Sequence, residues 1–315
     1  MKKQIIIIFG VVIGILLSSV DLPAQASREK HATKAQNNVI LTSRSAVTKP
    51  FSVNVTGKGD PMLFIPGLTC SAAVWDETIA RYSQNHQCHV FTLAGYAGQD
   101  AIKEGPYLDA YKNAIIKYIQ DKKLERIILV GHSIGGFVAM RIATDLQQHL
   151  KKVIIVDALP FYAGTLNPNA KNGFDDEEAR KTFSTFEKMD GAAFKANQLN
   201  TAKFLCADST KWDRIANWGA TSDRKTMAYS MYEMLGNDLR ENIKAIQVPV
   251  LVMAAYAPID KYPTFTKEYV LSTYKNQYQQ CKTCVVKATP SSKHFIMYDA
   301  PQWFFSEIDA FIKAG

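Results

Sequence analysis

The stretch that decides the fold is Ile127-Ile128-Leu129-Val130-Gly131-His132-Ser133-Ile134-Gly135-Gly136. Four consecutive apolar β-formers read as a buried strand, and Phe137 to Ala143 continue with apolar spacing compatible with a helix. Ser133 therefore falls at the corner where a strand turns sharply into a helix. A side chain at so tight a corner is forced into a strained backbone conformation, and only residues with almost no side chain two before and two after leave it room. Gly131 and Gly135 meet that requirement. With glycine at about 7% of average sequence, G-x-S-x-G arises by chance in roughly one chain in ten of this length, so the flanking strand and helix carry the weight. The geometry is that of an exposed, activated nucleophile; the alternative is a turn whose serine merely caps the helix.

Working outward, strand and helix periods alternate. A strand is expected over Phe51–Thr56, then the turn Gly57-Lys58-Gly59-Asp60 and a strand over Met62–Ile65; these two look like an antiparallel hairpin. A helix over Ala73–Ser83, a strand over His89–Thr92 and a helix over Leu108–Gln120 lead to the serine turn. Strands over Val153–Val156, Val250–Met253 and Cys284–Ala288 follow, with helices over Lys267–Tyr278 and Pro301–Lys313. Such alternation implies an α/β fold with a mainly parallel, doubly covered sheet. Between Leu159 and Lys244 the strand pattern stops, and a stretch too long for a loop reads as a helical cap inserted after the sixth strand. Its apolar faces come from Phe161, Tyr162, Phe183, Phe186, Trp212, Trp218, Tyr229, Met231, Tyr232 and Met234, better explained as cap core than as substrate contacts. The expected division is a core over 39–158 and 245–315 with the cap over 159–244.

The first 26 residues, with Lys2-Lys3, an apolar run from Ile5 to Leu17 and Pro23-Ala24-Gln25-Ala26, read as a secretory signal peptide cut after Ala26. The run is shorter than the ~20 residues of a membrane-spanning helix, and residues 27–38 read as a disordered leader. A periplasmic or secreted protein with no stable membrane span after cleavage is expected. The formal net charge of +8 falls to +7 when two lysines and one aspartate leave with the signal. The excess is mild and scattered, and no basic stripe interleaved with aromatics points to nucleic acid. Of the five cysteines, Cys281 and Cys284 form C-x-x-C before a strand rather than at a helix start, where thiol acidity would be raised. A local disulfide or two idle thiols is the better reading than redox catalysis, and no second pair stands at zinc-finger spacing.

A serine hydroxyl needs a base, and the base an orienting acid. Among six histidines, His31 lies in the leader, His86 and His89 flank a strand, His132 is inside the corner and His149 ends its helix, which leaves His294 in the loop after the last strand. The carboxyl ends of parallel strands are where such sheets gather ligands.

With these residues in hand, the chain resembles the α/β-hydrolase superfamily over roughly residues 50–160 and 245–315. The resemblance rests on Leu63-Phe64-Ile65-Pro66-Gly67-Leu68 with Trp75, on Val130 to Gly136, on Pro249-Val250-Leu251-Val252-Met253, and on His294-Phe295-Ile296-Met297-Tyr298-Asp299-Ala300-Pro301. It implies the order nucleophile, acid, histidine, met by Ser133, Asp260 and His294. Asp260 is preferred because it is the first carboxylate past the PVLV strand; Asp157, directly after the sixth strand, is the alternative, because some relatives carry the acid there. Asp299 is better explained as a helix N-cap. The resemblance also implies an oxyanion hole from the backbone N–H groups of Leu68 and Ile134. It departs from the usual pattern at Thr92 to Gln99, where the glycines survive without the customary aspartate.

These readings lead to a serine hydrolase acting on an ester or lactone of a small acyl group, with a small-molecule substrate and neither cofactor nor metal. Amide or aminopeptide cleavage, carbon–carbon hydrolysis and cofactor-free peroxidation stay open, as does a non-catalytic binding protein on the same fold.

Overall fold

The computed structural model describes residues 49–166, 170, 172–173, 175–259 and 263–314. The expected signal peptide and leader lie outside the described residues, as does Asp260.

In chain order the elements are β1 (Phe51–Thr56), β2 (Asp60–Ile65), α1 (Asp76–Tyr82), β3 (His86–Leu93), α2 (Tyr107–Asp121), β4 (Ile127–His132), α3 (Ile134–Leu146) and β5 (Leu150–Val156). Then come α4 (Ala163–Leu166), α5 (Asp176–Lys188), α6 (Gly191–Leu205), α7 (Trp212–Thr221) and α8 (Arg224–Gly236). The chain closes with β6 (Val250–Ala254), α9 (Lys267–Gln277), β7 (Cys284–Ala288), α10 (Ile296–Asp299) and α11 (Pro301–Lys313). The seven strands lie in the order β1-β3-β2-β4-β5-β6-β7, parallel except for β1 against β3.

Side chains on one strand point alternately to the two faces of a sheet, and here both faces are dry. Leu63, Leu129, Val153, Ile155, Val250 and Val252 join one buried cluster with α2, α3 and α9, whereas Phe64, Ile128, Val130, Ile154, Val156 and Leu251 join another with Trp75, Phe304 and Ile308. Continuous apolar strands of this kind are what a doubly covered parallel sheet requires.

The expected hairpin does not form, because β3 lies between β1 and β2. Gly57 and Gly59 carry positive φ values of 84° and 118°, and a Cβ at either would sit 2.3 Å from a carbonyl oxygen of the segment leading into β3, His86 O or Asn85 O. The turn thus wraps around the entry of β3 instead of closing its own ladder. The helical insert follows β5, the fifth strand in chain order rather than the sixth. Its own core gathers Ala179, Phe186, Phe194, Met227, Ala228, Met231 and Tyr232.

Cys281 and Cys284 are free thiols, the second of the two alternatives expected for them; the hydrogen bond between them pulls the Cys281 thiol down and pushes that of Cys284 up. Another local expectation changes. Asp299 does not cap α11, whose N-cap is Ala300 with Pro301 opening the helix. Its carboxylate accepts from Lys293 N, Ala207 N and Asp208 N at 2.8, 2.9 and 3.1 Å.

Candidate active site

Ser133 holds φ 54° and ψ −124° at the junction of β4 and α3. Its N–H donates to Val156 O at 2.9 Å and its carbonyl accepts from Phe137 N at 3.0 Å, so both sides of the corner are tied down. A Cβ on Gly131 would lie 2.3 Å from Gly135 O, and one on Gly135 would lie 2.4 Å from the carbonyl oxygens of Ile65 and Pro66. The corner exists because neither position carries a side chain.

His294 enters from the loop after β7, at the same edge. Its Nδ1–H donates to Asp157 Oδ2 at 2.6 Å, which leaves Nε2 as the basic nitrogen. Asp157 directly follows β5 and takes a positive φ of 48°, its N–H donating to Met253 O at 2.8 Å. That turn lifts the carboxylate off the strand, where Oδ1 also accepts from Ala255 N at 2.8 Å and from the Tyr274 hydroxyl at 2.7 Å. Burial, reinforced by the neighbouring Asp157 charge, pushes the Tyr274 phenol well up, so it stays a donor. The position beside His294 expected for Asp260 is thus filled by Asp157. The sequence carried the cue, a carboxylate immediately after a buried strand, but not the distance that decides between the two.

The histidine loop is pinned on several sides. Ser292 N donates to Tyr256 O at 2.6 Å, Lys293 N to Asp299 Oδ2, and Phe295 N to Leu205 O at 3.3 Å. His132, the residue before the serine, donates from Nε2 to the carbonyl of His294 at 3.1 Å, and the two rings lie tilted at 44° with centroids 4.5 Å apart. Burial first, and then the nearby His294 charge, push the His132 imidazole well below its ordinary value, so it is a neutral donor. The roles of His132 and Asp299 were missed from sequence, because each acts on a partner more than 90 positions away or across a loop turn.

Ser133, His294 and Asp157 line one cavity of about 460 Å³ that also takes in Gly67 and Leu68. Gly67 packs against His132 and Ser133 so closely that an added Cβ would lie 2.8 Å from His132 Nδ1 and 3.3 Å from Ser133 Cβ. Leu68 follows directly, and Ile134 is the first residue of α3, whose opening N–H groups have no acceptor within the helix. Tyr162, Met231 and Met234, expected as cap core, line the cavity as well. Among the described residues no group of three or more His, Cys, Asp or Glu side chains is placed to hold a metal ion, and no helix is long and apolar enough to cross a membrane.

This fold and this corner define an α/β hydrolase. The chain belongs to the Alpha/beta hydrolase family, whose profile matches residues 62–307. It is 24% identical over 275 residues to the pimeloyl-[acyl-carrier protein] methyl ester esterase of Wigglesworthia glossinidia brevipalpis, covering 84% of this chain and 98% of that one. It is 23% identical to the esterase of the same description from Vibrio cholerae, over 62% of this chain and 75% of that protein. Similar folds include a hydrolase from Oleispira antarctica (TM-score 0.69, 15% identity, 88% of this chain and 100% of that). An enol-lactonase from Burkholderia xenovorans is also similar (TM-score 0.67, 13% identity, 85% and 98%). The protein is therefore a hydrolase with esterase relatives.

Proposed function

We propose that this hydrolase cleaves a carboxylic ester or lactone through an acyl-enzyme on Ser133. His294 Nε2 takes the proton as Ser133 Oγ attacks the acyl carbon, Asp157 holds the imidazole in the required tautomer, and the N–H groups of Leu68 and Ile134 stabilise the oxyanion. Collapse of the tetrahedral intermediate expels the alcohol, which leaves with the proton from His294. Water, deprotonated by the same imidazole, then attacks the acyl-enzyme, and the acid departs as Ser133 recovers its proton. The observation that carries this reading is the 2.6 Å bond from His294 to Asp157 beside a serine with the strained backbone of a nucleophile corner. Ester cleavage is preferred because the relatives with matching length are described as esterases.

A fluorophosphonate tests it: one adduct on Ser133 is expected, absent in Ser133→Ala and strongly slowed in His294→Ala, and an unlabelled protein overturns the reading. We further propose export, resting on the charged and apolar start of the chain. Fractionation with N-terminal sequencing is expected to find a mature protein starting at Ser27 outside the cytoplasm; an intact Met1 terminus in the cytoplasm overturns it.

A further inference from the structure

We infer, resting on Ser133 as nucleophile, that the acyl group taken by this enzyme is an uncharged flexible apolar chain, longer than a small acyl group. We assign Met227, Met231 and Met234 of α8 as the specificity-determining residues that accommodate it.

Among the described cavity residues the formally charged side chains are Asp157 and Lys293, which accompany His132 and His294 at the nucleophile end. The rest of the lining is mostly apolar, with Leu205, Ile215, the three methionines and Leu235 from the insert and Ile259, Phe265 and Val270 from the segment after β6, beside the neutral polar side chains of Thr165, Gln198, Thr201 and Thr273. A carboxylate at the far end of a bound chain would be desolvated there with only neutral donors and no described cationic partner, which is unfavourable. A cavity of about 460 Å³ falls in the range of small-molecule sites and leaves room well beyond an acetyl group.

The methionines sit at spacings of four and three residues, so they share one face of α8. The neighbouring face of the same helix is fixed to the core. Tyr96 and Ser230 share a hydroxyl hydrogen bond of 2.6 Å, and Glu233 accepts from Tyr107 N and Leu108 N, both at 2.8 Å. At the helix start Asp223 N donates to Gly95 O at 2.7 Å. The backbone of this wall is rigid while its side chains, unbranched and carrying three rotatable bonds each, are the adaptable part. Such a wall fits apolar chains of differing shape without moving the insert.

The test is a series of p-nitrophenyl esters from acetate to dodecanoate, with a cyclohexanecarboxylate and an ω-carboxylated octanoate added, and with active sites counted by fluorophosphonate. The value of kcat/KM is expected to rise about fourfold per methylene until the cavity is filled. The ω-carboxylate is expected to be on the order of a hundredfold poorer than octanoate. Met231→Phe should move the optimum to shorter chains and Met231→Ala to longer ones. Should either fold poorly, the volume-conserving triple change of all three methionines to leucine is expected to keep the linear optimum and lose about tenfold on the cyclohexane ester. Normal labelling of Ser133 with a flat chain-length profile, an equally good ω-carboxylate, or a triple variant unchanged on the cyclohexane ester overturns the inference and leaves the nucleophile reading intact. Failure to label Ser133 removes both.

Discussion

His294 Nδ1 lies 2.6 Å from Asp157 Oδ2, although the two residues are 137 positions apart. The carboxylate reaches the imidazole because β5 and β6 are neighbours, and the turns after them face the loop after β7. Two further donors, Ala255 N and the Tyr274 hydroxyl, fix its orientation.

Asp157→Asn should therefore lower kcat by about 10⁴, because an amide favours the wrong imidazole tautomer, with circular dichroism unchanged. Asp260→Asn should cost less than about threefold. Steady-state kinetics on one p-nitrophenyl ester decides, and the reverse ranking would return the acid role to Asp260.

Asp299 ties the insert corner at Ala207 and Asp208 to the backbone just before His294. Asp299→Ala is expected to reduce kcat by roughly 10–100-fold, since a displacement of about 1 Å at a reacting group costs on the order of a hundredfold. Asp299→Glu should recover less than half of that loss in logarithmic terms, because the longer side chain cannot serve both segments at once. Wild-type turnover in Asp299→Ala would show that the tie is idle.

A pH dependence follows from His132. The unfolded chain protonates it near the ordinary value of 6.5, whereas burial keeps the folded imidazole neutral to lower pH. Within that window the unfolded state binds more protons, so stability is full above about 6.5 and falls as the solution is acidified, by at most about 1.4 kcal/mol per pH unit. His132→Asn should flatten this part of the profile, measured by urea denaturation between pH 5 and 7. An unchanged slope in the variant would count against it.

Gly135→Ala places a methyl group 2.4 Å from two backbone carbonyl oxygens that cannot rotate away. We expect a loss of about 3–5 kcal/mol in stability or failure to fold, read from thermal melts and soluble yield. A variant within about 1 kcal/mol of wild type would mean that the corner can relax.

Much of this architecture was readable from residue order. Ile127-Ile128-Leu129-Val130 could be nothing but buried, and β7 and α11 begin and end where apolar spacing places them. The pairing of β1 was not readable, since a glycine turn between two short strands is equally compatible with a hairpin and with a third strand inserted between them. Only the packing of Gly57 and Gly59 against the residues before β3 distinguishes the two.

The amino-acid order alone determined the elements, their alternation and the strained serine corner. Those properties are local, set by side-chain period and backbone sterics within a few residues. Which carboxylate meets the histidine, what Asp299 and His132 hold in place, and which face of α8 borders the cavity were decided only by the tertiary structure. Each is a distance between segments brought together by the sheet, and such distances have no signature in the spacing of residues along the chain.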